Sequence, residues 1–399
     1  MRERQEIRTI RMFPGILKRI GRFFAMAVGV SLVGAAIGWN LLVAEPPLKP
    51  GDAVQVQQQF NRETLCKSVG RATPLGGATG RLAYQSSDEK GHQTYIICVN
   101  GTGQRSLPAE AGNSPIQPDW SPDGRTLITL GWSTFVITEI DAKGNWRDNK
   151  RVFFDPELAT AGVLFTPRWS PDGKRLTLTS KRDGDCHGDI WVVDVETDQS
   201  KRVFDHSQIF GLAACDGVAD MPSWSPGGDL ISFSGGRALW VLDLASGRVV
   251  RWLSLGNMLC PATRTHWTRY GLFYSAFSTE QNATRIFQIA PNMACLREGL
   301  RNAAQLPDCG TPQVITQSVR WALMGMVDEQ KCPREEHGSP ALSPDGAYLA
   351  FVSEFYKSDG SLCLSRIMIT SVARPNEVFG LDSADGLNTY DPVWQPIVQ

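Results

Sequence analysis

One seven-residue cassette recurs along this chain and constrains its fold more than any other feature. The full copies are Pro118-Asp119-Trp120-Ser121-Pro122-Asp123-Gly124, Pro167-Arg168-Trp169-Ser170-Pro171-Asp172-Gly173, Pro222-Ser223-Trp224-Ser225-Pro226-Gly227-Gly228 and Pro340-Ala341-Leu342-Ser343-Pro344-Asp345-Gly346. A clipped copy, Pro392-Val393-Trp394-Gln395-Pro396, follows near the end. Proline presets φ at the first corner of a turn, glycine accepts a positive φ, and an aspartate caps the turn amides. After each glycine comes an apolar run of strand composition, such as Leu176-Thr177-Leu178-Thr179-Ser180 or Leu349-Ala350-Phe351-Val352-Ser353. A polar loop and a third strand come next, as in Ile190-Trp191-Val192-Val193-Asp194, and in one copy Asp243-Leu244-Ala245-Ser246-Gly247 turns the chain into a fourth strand, Arg248-Val249-Val250-Arg251. Several short strands repeated at a spacing of roughly fifty residues predict the blades of a β-propeller. A β-sandwich is the alternative, but sandwiches do not repeat a whole cassette.

Two more blades keep the pattern without the signature. His266-Trp267-Thr268-Arg269-Tyr270-Gly271, followed by Leu272-Phe273-Tyr274-Ser275 and Ile286-Phe287-Gln288-Ile289, reads as a copy that has lost its proline. Arg81 to Ser86 and Tyr95 to Asn100 supply second and third strands with no first strand before them, whereas 386–394 is a first strand with no second after it. The C-terminal strand is therefore expected to complete the N-terminal blade. Taking Trp120, Trp169, Trp224, Trp267, Leu342 and Trp394 as equivalent positions gives an all-β, six-bladed propeller closed by strand exchange.

The run Pro167 to Leu176, followed by Ser180-Lys181-Arg182-Asp183-Gly184 and Asp189-Ile190-Trp191-Val192-Val193-Asp194, resembles the repeat of TolB-like (WD40-like) propellers. The resemblance covers residues 79 to 396, strongly in four blades and weakly in two. It implies the propeller fold and a binding role on the envelope side of a membrane. TolB-like proteins place an α/β domain before the propeller; here Glu45 to Ala78 is too short to supply it.

The N-terminal region carries the second signal. Residues 1–22 hold seven basic side chains (Arg2, Arg4, Arg8, Arg11, Lys18, Arg19, Arg22) against Glu3 and Glu6. From Phe23 to Val43 there is no charge, a length suited to a membrane-crossing helix, and the basic flank sets the N-terminus inside. The reading is a cytoplasmic leader (1–22), a transmembrane anchor (23–44), a stalk (45–78) and an extracytoplasmic propeller (79–399) interrupted by an insertion at 291–338. The alternative is a cleaved signal peptide ending near Leu42-Val43-Ala44, which leaves a secreted or periplasmic protein. The leader's surplus of five positive charges, set against a net charge of −1, leaves about −6 on the remainder, which argues against a nucleic-acid partner.

All nine cysteines follow the apolar segment, as expected where disulfides persist. Blade proximity suggests Cys66 with Cys98, Cys332 with Cys363, and Cys186 with Cys215, and the odd number leaves one thiol over. No Gly-x-Ser-x-Gly elbow, phosphate loop or dinucleotide fingerprint is present, no cofactor is implied, and no metal is assigned. The five histidines, His92, His187, His206, His266 and His337, do not recur at one repeat position. The reading is a scaffold that binds an envelope protein without catalysis. Its alternative is a polysaccharide lyase or hydrolase working in the central funnel with a metal, and a small-molecule or saccharide ligand stays open with it. Candidate binding residues lie on channel-face loops: Arg182, Asp183, Asp185 and His187 in one, Asp216 and Asp220 in another. Acidic Asp-Gly loops are also ordinary solvated turns. The segment 319–328 is expected to be helical.

Overall fold

The computed structural model describes Cys66 and residues 80–396, apart from 89–90, 108–115, 131–134, 142–143, 154–155, 183–187, 208–219, 236–237, 256–263, 303–308, 324–325 and 382–387. The leader, the 23–44 segment and all of the stalk but Cys66 lie outside the described residues. Among the described residues no helix is long and apolar enough to cross a membrane.

Six four-stranded antiparallel sheets form the blades. Blade one contains β1 (Arg81–Asp88), β2 (Gly91–Cys98) and β3 (Arg105–Ser106). Blade two is β4 (Ile116–Trp120), β5 (Thr126–Leu130), β6 (Phe135–Ile140) and β7 (Trp146–Phe153), and a short helix α1 (Pro156–Ala159) leads onward. Blade three is β8 (Val163–Trp169), β9 (Arg175–Lys181), β10 (Asp189–Asp194) and β11 (Ser200–Phe204). Blade four is β12 (Asp220–Trp224), β13 (Leu230–Gly235), β14 (Ala238–Asp243) and β15 (Val249–Ser254). Blade five is β16 (His266–Thr268), β17 (Gly271–Ser278), β18 (Ala283–Ile289) and β19 (Pro312–Val314), with helix α2 (Met293–Asn302) between its last two strands. Blade six is β20 (Arg334–Leu342), β21 (Tyr348–Tyr356), β22 (Leu362–Ser371) and β23 (Val378–Gly380). The last strand, β24 (Asn388–Trp394), pairs antiparallel with β1, so strand exchange closes the ring as the sequence pattern implied. The innermost strands β24, β4, β8, β12, β16 and β20 touch in succession around that ring.

There is one apolar cluster per pair of neighbouring blades and no single central core. Leu82 of β1 turns toward Ala350 and Ile367 of blade six, while the next residue, Ala83, turns toward Trp120 and Leu127 of blade two. Both faces of a blade are thus buried, which is why the second strands read as continuous apolar runs rather than alternating ones. Burial at about 25 cal/mol per Å² of apolar surface makes these interfaces the main stabilising term.

Side chains wire each cassette turn. In blade two Ser121 Oγ donates to Asp123 Oδ1 (2.5 Å) and accepts the Thr126 amide (3.0 Å), while Asp123 Oδ1 accepts the Arg125 amide (3.0 Å). Gly124 sits at φ +65°, where a Cβ is unwelcome. Ser170 with Asp172 and Ser343 with Asp345 repeat the arrangement.

Disulfides join Cys66 to Cys98, Cys332 to Cys363 and Cys295 to Cys309. The first two match the pairs suggested by blade proximity; Cys186 and Cys215 lie outside the described residues. Cys295–Cys309 ties α2 to the approach to β19, so the segment read as an interruption of the repeat also carries the fourth strand of blade five. The helix expected over 319–328 is a single 3-10 turn at Arg320–Leu323. Glu335 accepts the Val319 amide before the turn (2.8 Å), the Ala322 amide donates to the Val319 carbonyl (2.9 Å), and the Arg320 side chain donates to the carbonyls of Cys332 and Pro333 (2.9 and 2.7 Å).

Candidate functional site

Each innermost strand carries Pro two residues before its Trp or Leu, except in blade five. Proline has no amide to give the ladder, so the strand slips there, and the pairing register shifts in all five of those blades. The residue before each proline, Gln117, Thr166, Met221, Ser339 or Asp391, takes φ between 49° and 57°. Bulky residues rarely accept that conformation, so five repeats of it mark a bend that the ring needs. Blade five has Arg264 and Thr265 at the corresponding places, and its first strand pairs without a shift.

Cross-blade bonds bind the ring at the next level. The side chain before the Trp position accepts the amide of the equivalent residue one blade on: Asp119 from Trp169 (2.8 Å), Ser223 from Trp267 (2.9 Å), His266 Nδ1 from Leu342 (3.0 Å). At two places where that side chain cannot accept, the tryptophan indole donates backward instead, Trp224 to the Arg168 carbonyl (3.2 Å) and Trp394 to the Ala341 carbonyl (2.9 Å).

A funnel of about 440 Å³ opens along the axis at the end of the blades that carries the Ser-Pro turns. Prolines from five cassettes (Pro122, Pro171, Pro226, Pro344 and Pro396) wall it. Blade five puts Arg269 where the others have that proline. The Arg269 guanidinium donates to Tyr270 Oη (2.8 Å) and to the Pro344 carbonyl (3.4 Å), and Tyr270 Oη donates to the Asp345 carbonyl (2.7 Å). Deeper, Arg168 Nη1 pairs with Asp119 Oδ1 at 3.1 Å. Burial pushes the Asp119 carboxyl up, and Arg168 opposes that shift. His266 is held down to about 3 by burial and by the nearby Arg168 and Arg264, so it is neutral and carries its proton on Nε2.

Arg264 is the axial centrepiece, 1% exposed. It reaches from blade five across the channel to the Pro118 carbonyl of blade two (3.2 Å) and lies 3.7 Å from Asp391 of β24. Burial lowers it to about 10, which still leaves it charged at neutral pH. Its Nε and Nη1 have no hydrogen-bond partner.

Two other clusters are satisfied internally. His337 and Glu335, both buried, lie between blades five and six. Thr316 Oγ1 accepts the Ile286 amide (3.0 Å) and donates to His337 Nδ1 (2.9 Å), so His337 Nε2–H is left for Glu335 (2.9 Å). Burial raises the Glu335 carboxyl, but His337, Ser318 and the Val319 amide outweigh it and bring it down to about 2. The chain has the order of a hydroxyl–His–carboxylate relay, yet Thr316 is 1% exposed and no substrate reaches it; the trio is a clamp. Asp189, Asp205 and His206 lie close enough to hold a metal, but Arg202 already bridges both carboxylates at 3.1 Å.

Of the residues singled out from sequence, Asp183, Asp185, His187 and Asp216 lie outside the described residues. Arg182 is exposed at the end of β9, and Asp220 begins β12 opposite Ser234. Both sit at the blade ends away from the Ser-Pro turns, so strand direction separates them from the funnel. Arg264, Arg269 and Tyr270 were not picked out; their signal was the departure of blade five from the cassette.

No family model matches the chain. The solved structure of a putative TolB from Agrobacterium tumefaciens aligns over 77% of this chain and 91% of its own, at 15% identity and a TM-score of 0.50. The propeller is TolB-like in fold. The Tol-Pal system protein TolB of Alcanivorax borkumensis is 27% identical over 112 residues, 27% of this chain and 25% of that protein. The uncharacterised peptidase YuxL of Bacillus subtilis is 23% identical over 259 residues, 62% of this chain and 30% of that protein. The chain spans less than a third of the length of the curated relatives that this TolB-like propeller matches.

Proposed function

We propose that this chain is a membrane-anchored, extracytoplasmic propeller that docks an envelope protein at its axial funnel and acts as a scaffold without catalysis. The funnel itself carries the reading: a proline-walled concavity of about 440 Å³ with an aromatic and an arginine on its rim, the mix of apolar wall and few polar groups that suits a ligand segment. The ring residues at its floor support binding over turnover. His266 spends Nδ1 on the Leu342 amide and is held near pKa 3, so it is no general base at neutral pH. The basic leader and uncharged run before the stalk support the anchor and the outside location, and the match to a Tol-Pal system protein supports an envelope setting.

A second reading rests on the YuxL match: a propeller serving a peptide-cleaving enzyme. The test is a photoreactive residue placed either at Tyr270 on the rim or at Arg182 at the other end, in the full chain in intact cells. Adducts with one envelope protein from position 270 support the proposal. Adducts from position 182 alone, or from neither, sink it, and cleavage of an added peptide by the purified chain favours the second reading.

A further inference from the structure

The funnel floor offers donors and almost no acceptors. Both Asp119 oxygens are used, Oδ1 by Arg168 and Oδ2 by the Trp169 amide. Arg168, in contrast, spends only Nη1 on a protein acceptor among the described residues. His266 lines the funnel with Nε2–H unpaired, since its one bond is made at Nδ1. Beneath them the guanidinium of Arg264 is buried, its Nε 3.7 Å from Asp391 and its Nη1 without a hydrogen-bond partner among the described residues, and its charge acts on both Arg168 and His266. Arg269 adds a second arginine at the mouth.

A buried donor left unmade is costly, so a group that supplies acceptors is favoured there. The charge balance selects its kind. His266 is neutral, Asp119 offsets Arg168 and Asp391 lies 3.7 Å from Arg264, so Arg269 leaves the funnel a surplus of about one positive charge, a match for a monoanion rather than a phosphate dianion. The apolar proline wall matches a peptide backbone behind that anion.

We infer that the funnel binds a carboxylate-bearing peptide, with the carboxylate taken by Arg168 and by His266 Nε2–H, and with Arg269 closing over the chain that follows. This rests on the reading of the funnel as the docking site and names the chemistry of what enters it.

The experiment uses the purified full chain, immobilised, and two pools of random hexapeptides, one with free C-termini and one amidated, with retained peptides identified by mass spectrometry. The expected result is at least about tenfold higher retention of free-terminus peptides, the worth of one charge-assisted hydrogen bond. Retention should fall about tenfold in Arg168→Gln and less in Arg269→Gln, a rim variant that leaves the Asp119 pair intact. Retention of amidated peptides only when they contain Asp or Glu keeps the carboxylate and moves its source to a side chain. Equal retention of amidated peptides without acidic residues, no retention by the folded chain, or retention unchanged in both variants overturns the inference. A cross-link from position 270 that survives Arg168→Gln leaves docking standing while the carboxylate fails; peptide retention without any cross-linked protein does the reverse.

Discussion

Blades three and five occupy equivalent places in one ring and are built on opposite plans. Blade three keeps the whole cassette: Thr166 at φ 51° before Pro167, the register slip, and Ser170 and Asp172 wiring the turn. Blade five has lost both prolines, pairs without a slip, and carries between its third and fourth strands a cystine-tethered helix that packs on β15 of blade four. The regular blade spends most of its residues on holding shape and gives the funnel Arg168 and Pro171. The irregular one contributes Arg264, His266, Arg269 and Tyr270 to the axis. In this ring the copy that departs from the cassette supplies the most polar side chains to the axis.

The largest expected effect tests the stitching. Trp224→Ala should cost about 3–5 kcal/mol by urea unfolding, as a large buried aromatic does. It should exceed Trp267→Ala by about 1 kcal/mol, because only Trp224 also donates its indole to the neighbouring blade. An equal or greater loss at Trp267 would break the contrast. Next, Cys295→Ser with Cys309→Ser should lower stability by about 2–4 kcal/mol in non-reducing buffer. No change would show that blade five does not depend on its tether.

A smaller effect concerns the seam between blades five and six. A Cβ on Gly346 would lie 2.5 Å from the Tyr270 ring, whereas one on Gly173 would find Pro122 at 3.6 Å. Gly346→Ala should therefore cost about 1–3 kcal/mol from overpacking added to its positive φ. Adding Tyr270→Ala should relieve part of it, while Gly173→Ala should be milder. Additive losses in the double variant would show that Tyr270 does not press on the turn.

The smallest effect near neutrality is a pH slope. His266 titrates near 3 when folded against 6.5 ordinarily, so below about pH 6.5 the unfolded chain binds a proton that the folded one refuses. Stability is lost as pH falls through that window. Blade three has Arg168 at this position. His266→Gln should flatten the fall in urea midpoint between pH 7 and 5; an unchanged slope would mean that other groups carry it.

The fold was legible because its determinants are local. Pro122-Asp123-Gly124 dictates a turn, and Leu127 to Leu130 dictates a strand with both faces buried. Even ring closure showed as a first strand without a second at one end and the converse at the other. The site was less legible. Strand direction sends Arg182 and Asp220 to one end of the blades and the Ser-Pro turns to the other, and the acidic loops drew attention to the former. Arg264 looks like any polar linker residue until the ring brings Pro118, 146 residues away, within hydrogen-bonding reach. Among the described residues, the helix expected near 319–328 shows only the 3-10 turn at Arg320–Leu323, and Glu335, which caps the Val319 amide before it, comes from a later strand that no local pattern announces.

The exchange of β24 into blade one also sets a timetable. Among the described strands β24 comes latest in the chain, yet it is the innermost strand of the first blade. Until it arrives, β1 presents an open edge, Leu82 and Tyr84 lack their Trp394 neighbour, and the loop between the two ends of the ring has the longest sequence separation in the molecule. Before β24 folds back onto β1 the chain is an unclosed arc of blades whose first edge is open to pairing with a foreign strand.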